Sequence, residues 1–129
     1  MGNIINESEE MYLESIYVLS KGGKPVRNID IAIYLGHAKP SVTYGLRNLA
    51  EKGYIEYNQN KSIKLTQEGL KKALSVYERH VVLKEILMYL GADEKLAEED
   101  GCKIEHVVSD ELLHVLEEFL KKTHKNLNQ

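Results

Sequence analysis

The feature that most constrains this chain is a change of period between residues 28 and 65. NIDIAIYLG and then KPSVTYGLRNLAEKG place apolar residues at helical spacing, Ile31, Ala32 and Leu35 in the first and Val42, Leu46 and Leu49 in the second. Asn28 is the expected N-cap of the first helix and Gly36 its end. Pro40 is expected at the first helical position of the second, where a missing N–H costs nothing, and Gly53 closes it. The period then falls to two. Ile55 and Tyr57 alternate with charge, Asn58-Gln59-Asn60-Lys61 is a polar turn, and Ser62-Ile63-Lys64-Leu65 alternates again, which predicts a short β-hairpin. Ahead of this block, residues 7–21 read as a helix with a core stripe of Tyr12, Ile16 and Leu19. Met11 shares a different face with Glu14 and Val18, and GGKP at 22–25 is a break.

Helix, turn, helix and basic hairpin is the order of a winged helix-turn-helix, whose second helix enters the DNA major groove. The leading edge of that helix offers Lys39, Pro40, Ser41, Thr43, Tyr44 and Arg47, two hydroxyls, an aromatic ring and a guanidinium able to fork onto guanine. Its N-terminus suits a phosphate. Arg27, Lys61 and Lys64 add positive charge from the preceding loop and the wing. The net charge of −3 argues against a polyanion partner until its distribution is read. Residues 20–64 carry eight bases against three acids, a net of +5, while the segments before and after are each −4. A winged helix can also serve protein contacts alone; the local +5 favours double-stranded DNA.

After Thr66 the pattern turns to long helices. Residues 67–90 carry Leu70, Leu74, Tyr77, Val81 and Met88 on one side and Val76, His80, Leu83 and Leu87 on another. Gly91-Ala92 breaks this helix, Asp93 caps DEKLAEEDGCKIEHVV, and Ser109 caps DELLHVLEEFLKK. Leu112, Val115, Leu116, Phe119 and Leu120 form a broad apolar face, which suggests a dimer interface, although packing within one chain gives the same pattern. The expected fold is therefore mainly α. A winged helix-turn-helix with a short hairpin wing fills 1–66, and a helical dimerisation domain with a linker helix at 67–90 fills 67–129.

At 129 residues and 43% hydrophobic, the chain holds one domain or two small ones sharing a core. No apolar run reaches membrane-spanning length, and the acidic start has no signal-peptide layout, nor the Ser or Thr at position six that myristoylation needs. One cysteine excludes an internal disulfide, so a reducing cytoplasm is the expected compartment. Disorder is expected only in the final THKNLNQ.

That cysteine sits in GCKIEHVVSDELL, with Glu105 at +3 and His106 at +4 from Cys102. On a helix the three share one face, and thiolate, carboxylate and imidazole are all metal ligands. A lone Cys is also a common small buried hydrophobe, and a lone His or Glu on a helix is commonly structural, so the triplet by itself leaves both readings open. A thiol hydrolase using Cys102 and His106 is disfavoured, because i, i+4 on one helix is poor geometry for attack and no oxyanion-hole glycine motif accompanies it. A redox switch at Cys102 would have to pair between chains. No enzyme and no small organic substrate are expected.

Taken in order, EMYLESIY, KPSVTYGLRNLAEKGYI, KLTQEGLKKA and CKIEHVVSDEL resemble the diphtheria-toxin-repressor family, which includes iron-dependent repressors and manganese transport regulators. The resemblance covers nearly the whole chain, in the two-domain form without the SH3-like domain. It implies a regulatory metal site of Met11, Cys102, Glu105 and His106. Because the manganese regulators have Asp and Glu where Met11 and Cys102 stand, it implies Fe(II) as activator. Thioether and thiolate also suit Co(II), Ni(II) or Zn(II) better than Mn(II). His80, Glu98 and Glu14 occupy positions that imply a second site, with Lys84 standing where the iron repressors place a carboxylate. The implied function is a metal-activated homodimeric repressor of metal-uptake genes, acting on a palindromic operator, with Mn(II) as the alternative activator. Metal would tie the first helix to the helical domain and set the spacing of the recognition helices.

Overall fold

The computed structural model describes residues 5–127, with side chains described as far as residue 123. Six α-helices and one two-stranded sheet follow in chain order: α1 (Glu7–Leu19), α2 (Asn28–Leu35), α3 (Lys39–Glu51), β1 (Ile55–Tyr57), β2 (Ile63–Leu65), α4 (Gln67–Tyr89), α5 (Glu94–Ile104) and α6 (Asp110–Leu127). They divide into two compact units, Met1–Ser75 and Val76–Gln129. The tail expected to be disordered is helical as far as Leu127; its last two residues lie outside the described ones.

In the first unit, α1 starts at a capping box. The Asn6 side chain accepts from Glu9 N–H at 2.8 Å, and Glu9 returns a bond to Asn6 N–H at 3.1 Å. Tyr12, Leu13 and Ile16 of α1 pack with Ile31 and Ala32 of α2, Val42, Leu46 and Leu49 of α3, and Ile55 and Ile63 of the hairpin. The buried Glu9 carboxylate is held by Lys52 Nζ at 2.8 and 3.0 Å, which pins the first turn of α1 to the end of α3. The strands pair antiparallel, Ile55 with Leu65 and Tyr57 with Ile63. Gly69, in the first turn of α4, lies so close to Tyr54 that an added Cβ would fall 1.9 Å from its carbonyl oxygen. Any larger residue there would push α4 off the hairpin.

Three helix ends differ from expectation. Residue 27, not Asn28, is the N-cap of α2, because Asp30 accepts from Arg27 N–H at 2.9 Å; the Asn28 side chain is instead engaged by the Tyr57 hydroxyl at 2.9 Å. Ala38 caps α3, so Pro40 is its second helical residue. The first helix stops at Leu19 and is followed by a 3-10 turn at Lys21–Gly23.

In the second unit, the buried side of α4 is Val76, His80 and Leu83 rather than the Tyr77–Val81 side. Leu83 packs with Val108 and Leu113. Asp93 accepts from Leu96 N–H at 2.8 Å and caps α5. Ser109 Oγ accepts from Leu112 N–H at 3.1 Å at the start of α6. The helix predicted to run through Val108 stops at Ile104, for a reason that lies in the candidate site.

Candidate metal centre and nucleic-acid interface

Cys102 is in the last turn of α5, Glu105 is its C-cap, and His106 begins the turn that follows. Glu105 N–H still bonds Gly101 C=O at 3.0 Å, so the backbone is helical up to that residue. Beyond it, Arg79 on α4 takes over. Its Nη1 donates to Glu105 C=O at 3.1 Å, its Nη2 to Val108 C=O at 3.2 Å, and the same nitrogen pairs with Asp110. With a guanidinium on these two carbonyls and Ser109 opening a new helix, α5 cannot continue. Arg79 was not legible as a functional residue in sequence, because two of its three partners are backbone carbonyls that no side-chain pattern reports.

This termination gathers ligand groups. One donor atom each from Cys102, Glu105 and His106 lies within 4.8 Å of the others. Glu105 is 1% exposed, and neither of its carboxylate oxygens has a hydrogen-bond partner. Its Oε1 is 3.4 Å from His106 Nε2, and its Oε2 is 3.5 Å from His80 Nδ1. A buried carboxylate is normally hydrogen-bonded or paired. Here it faces a thiol and two imidazoles, a donor set that fits a divalent cation of the iron-to-zinc range. The neighbouring Glu105 carboxylate, with Glu98 adding to it and burial opposing, pushes the His80 pKa up to about 9. On its other edge His80 Nε2 lies 2.9 Å from Glu98 Oε1, and Glu98 Oε2 is 3.0 Å from Lys84 Nζ. Lys84 and His80 together hold the Glu98 carboxyl below its usual range, against the upward push of burial. Met11 and Glu14 are half-buried residues of α1, in the first unit.

The nucleic-acid residues sort by the same test of position. Arg27, Lys39 and Lys61 line one groove of about 360 Å³ with Asn28, Ile29 and Tyr57, so the entry to α2, the start of α3 and the wing converge. Lys61 reaches it from a left-handed turn, with φ 68°. Pro40, Ser41, Tyr44, Arg47 and Lys64 are exposed, and Thr43 is half-buried. Burial raises the pKa of the Tyr57 hydroxyl, against the lowering effects of its hydrogen bond to Asn28 and of Arg47. The sequence marks Asn28 as a cap and Tyr57 as a strand residue, and neither signal says which groove the side chain enters.

A winged helix with a basic groove, joined to a helical unit that gathers thiol, carboxylate and imidazole, defines a metal-dependent transcriptional regulator. Comparison with known proteins makes this specific. The N-terminal DNA binding domain of the iron dependent repressors matches residues 5–63, and their metal binding and dimerisation domain matches residues 66–127. The chain belongs to the iron-dependent, or diphtheria-toxin-repressor, family. It is 36% identical to an uncharacterized HTH-type transcriptional regulator of Methanocaldococcus jannaschii over 92% of this chain and 96% of that one. It is 35% identical to the transcriptional regulator MntR of Escherichia coli over 86% of this chain and 72% of that protein. Diphtheria toxin repressor of Corynebacterium glutamicum is 29% identical over 93% of this chain but only 53% of its own length. Among solved structures, the manganese regulator SloR superposes with a TM-score of 0.80 at 28% identity, covering 88% of this chain and 53% of that one. The chain thus spans about half the length of the last two of these. Both iron and manganese regulators match, so membership fixes metal dependence and not which metal. Among the described residues, no helix is long and apolar enough to cross a membrane.

Proposed function

We propose that this chain is an Fe(II)-activated repressor of metal-uptake genes, with residues 1–66 reading a palindromic operator and residues 67–129 binding metal and joining two copies. The observation that carries the metal assignment is the buried Glu105 carboxylate, gathered with Cys102 and His106 and approached by the His106 and His80 ring nitrogens only at 3.4 and 3.5 Å. Cys102, Glu105 and His106 are the ligands, with Met11 the fourth that the family resemblance implies. When bound, the metal would add to the positive charge that His80 already places beside this buried carboxylate. Cys102 and the thioether of Met11 set the preference for a softer ion than Mn(II). Arg27, Lys39, Arg47, Lys61 and Lys64 neutralise DNA phosphate, and Ser41, Thr43, Tyr44 and Arg47 face base edges. A tenfold activation by metal requires only about 1.4 kcal/mol of preference for the DNA-competent state.

For dimerisation, the support is the α6 face, where Leu112, Val115 and Phe119 remain exposed, Val115 by 60%. A helix stripe of this width is ordinarily covered.

Mn(II) is the second reading, favoured by the Glu105 carboxylate, a hard oxygen donor that lies between the His106 and His80 nitrogens. Anaerobic fluorescence anisotropy on DNA from upstream of this protein's own gene separates the two. Fe(II) should tighten binding at lower buffered concentration than Mn(II), and Cys102→Ser should narrow the gap. Equal or better activation by Mn(II) overturns the iron assignment, and binding indifferent to both metals overturns the metal reading.

A further inference from the structure

The His80 ring has two different neighbourhoods. Its Nδ1 edge faces Glu105 in the candidate metal centre, and its Nε2 edge faces a second cluster made of Glu98, Glu94 and Lys84. An imidazole nitrogen with two carboxylates is an ordinary divalent-cation donor set, and the family resemblance implies a second site at His80 with Glu98 or Glu14. In this chain an ammonium already stands there. Lys84 Nζ is 3.0 Å from Glu98 Oε2 and 3.4 Å from Glu94 Oε1. Its place is set by the backbone as well. A Cβ at Gly101 would lie 3.5 Å from Lys84 N, so α4 and α5 touch at this level. Beside that ammonium a divalent ion would meet like charge within a few ångström, and both carboxylates would have to abandon an existing partner.

We propose that Lys84 is a resident cation that closes this second cluster to metal, and that Glu98 is a positioning residue for His80 rather than a ligand. Glu98 accepts from the Nε2 edge of His80 and is itself held by Lys84, so the ring is locked with its Nδ1 edge toward Glu105. A carboxylate behind a histidine is the usual means of aiming such a ring at a metal. By the family resemblance, the chain departs here from iron repressors that place a carboxylate at position 84. This inference rests on the proposed centre at Cys102, Glu105 and His106.

The test counts ions. Wild type, Lys84→Gln, Lys84→Arg, Glu98→Gln and Lys84→Gln/Glu98→Gln are dialysed anaerobically to equilibrium with Co(II). Metal per chain is measured by mass spectrometry, and the thiolate-to-cobalt absorption is recorded in the same samples. Lys84→Gln should take up one more Co(II) per chain than wild type with the thiolate band unchanged, and the double variant should lose that extra ion. Lys84→Arg should keep the wild-type count. Glu98→Gln should also keep it while weakening, by about tenfold, the affinity read from the thiolate band. An unchanged count in Lys84→Gln, or a count that falls in Glu98→Gln, overturns the proposal. A wild type that binds Co(II) without a thiolate band overturns the Cys102 assignment instead, and the Lys84 comparison still reads from the counts.

Discussion

Replacing Arg79 by Met should damage the metal centre from a residue that touches no metal ligand atom. The guanidinium donates to the carbonyls of Glu105 and Val108 at 3.1 and 3.2 Å, and its side chain is 15% exposed. Hydrogen bonds from a charged donor contribute about 1.5–3 kcal/mol each, but these are at the long end of the range and water reaches the site. About 1 kcal/mol for each is the reasonable share. The Asp110 partner is 93% exposed, so that ion pair adds little. The sum is a loss of about 2 kcal/mol in the helical unit, with Arg79→Lys losing about half because an ammonium cannot fork across two carbonyls. The chemical consequence is larger than the thermodynamic one. Once the carbonyl of Glu105 is released, the 105–108 turn no longer fixes Glu105 and His106 relative to Cys102. Loss of such a supporting contact lowers metal affinity by about 10–100-fold. Urea unfolding of the metal-free protein gives the first quantity, and anaerobic Co(II) titration followed by the thiolate band gives the second. A stability change below about 0.5 kcal/mol together with an unchanged Co(II) affinity would refute the view that Arg79 builds the site.

Three other outcomes follow from the same geometry. Lys52→Met strands the buried Glu9 carboxylate on Asn6 N–H alone, and should cost the DNA-binding unit about 2–3 kcal/mol in urea unfolding; a coupling near zero in a Glu9→Gln/Lys52→Met double-mutant cycle would show that the pair contributes nothing. Arg47→Ala and Lys61→Ala should both weaken operator binding and flatten its salt dependence by about one phosphate each, but only Arg47→Ala should also relax sequence preference in a base-substitution series. Val115→Glu should shift the protein toward monomer in light scattering and lose operator affinity while keeping the Co(II) thiolate band; a dimer that survives would place the interface elsewhere.

The winged helix-turn-helix was readable in the sequence because each of its parts is local. Val42, Leu46 and Leu49 recur at helical spacing and are fully buried, and Ile55 and Ile63 alternate and reach the same core. Gly36 and Asp93 end and begin helices by backbone geometry and capping, which need no distant partner. Cys102, Glu105 and His106 were likewise found together because they are near in sequence, and they stay within reach of one another although the helix ends at Ile104. The sequence could not say where that helix stops, which side of α4 is buried, or whether Arg27 or Asn28 caps α2. The first two were decided by partners far along the chain, Arg79 taking carbonyls of residues 105 and 108 and Leu83 packing on Val108 and Leu113; in the third, Asp30 accepts locally from Arg27 N–H while the distant Tyr57 hydroxyl engages Asn28. Lys84 and Glu98 belong to the same class. Each read alone is an ordinary charge on a helix, and their meaning lies in an ammonium 3.0 Å from a carboxylate across two helices. Periodicity and capping follow from the chain's own stereochemistry, whereas the pairing of charges between elements follows from which surfaces the buried apolar residues bring together.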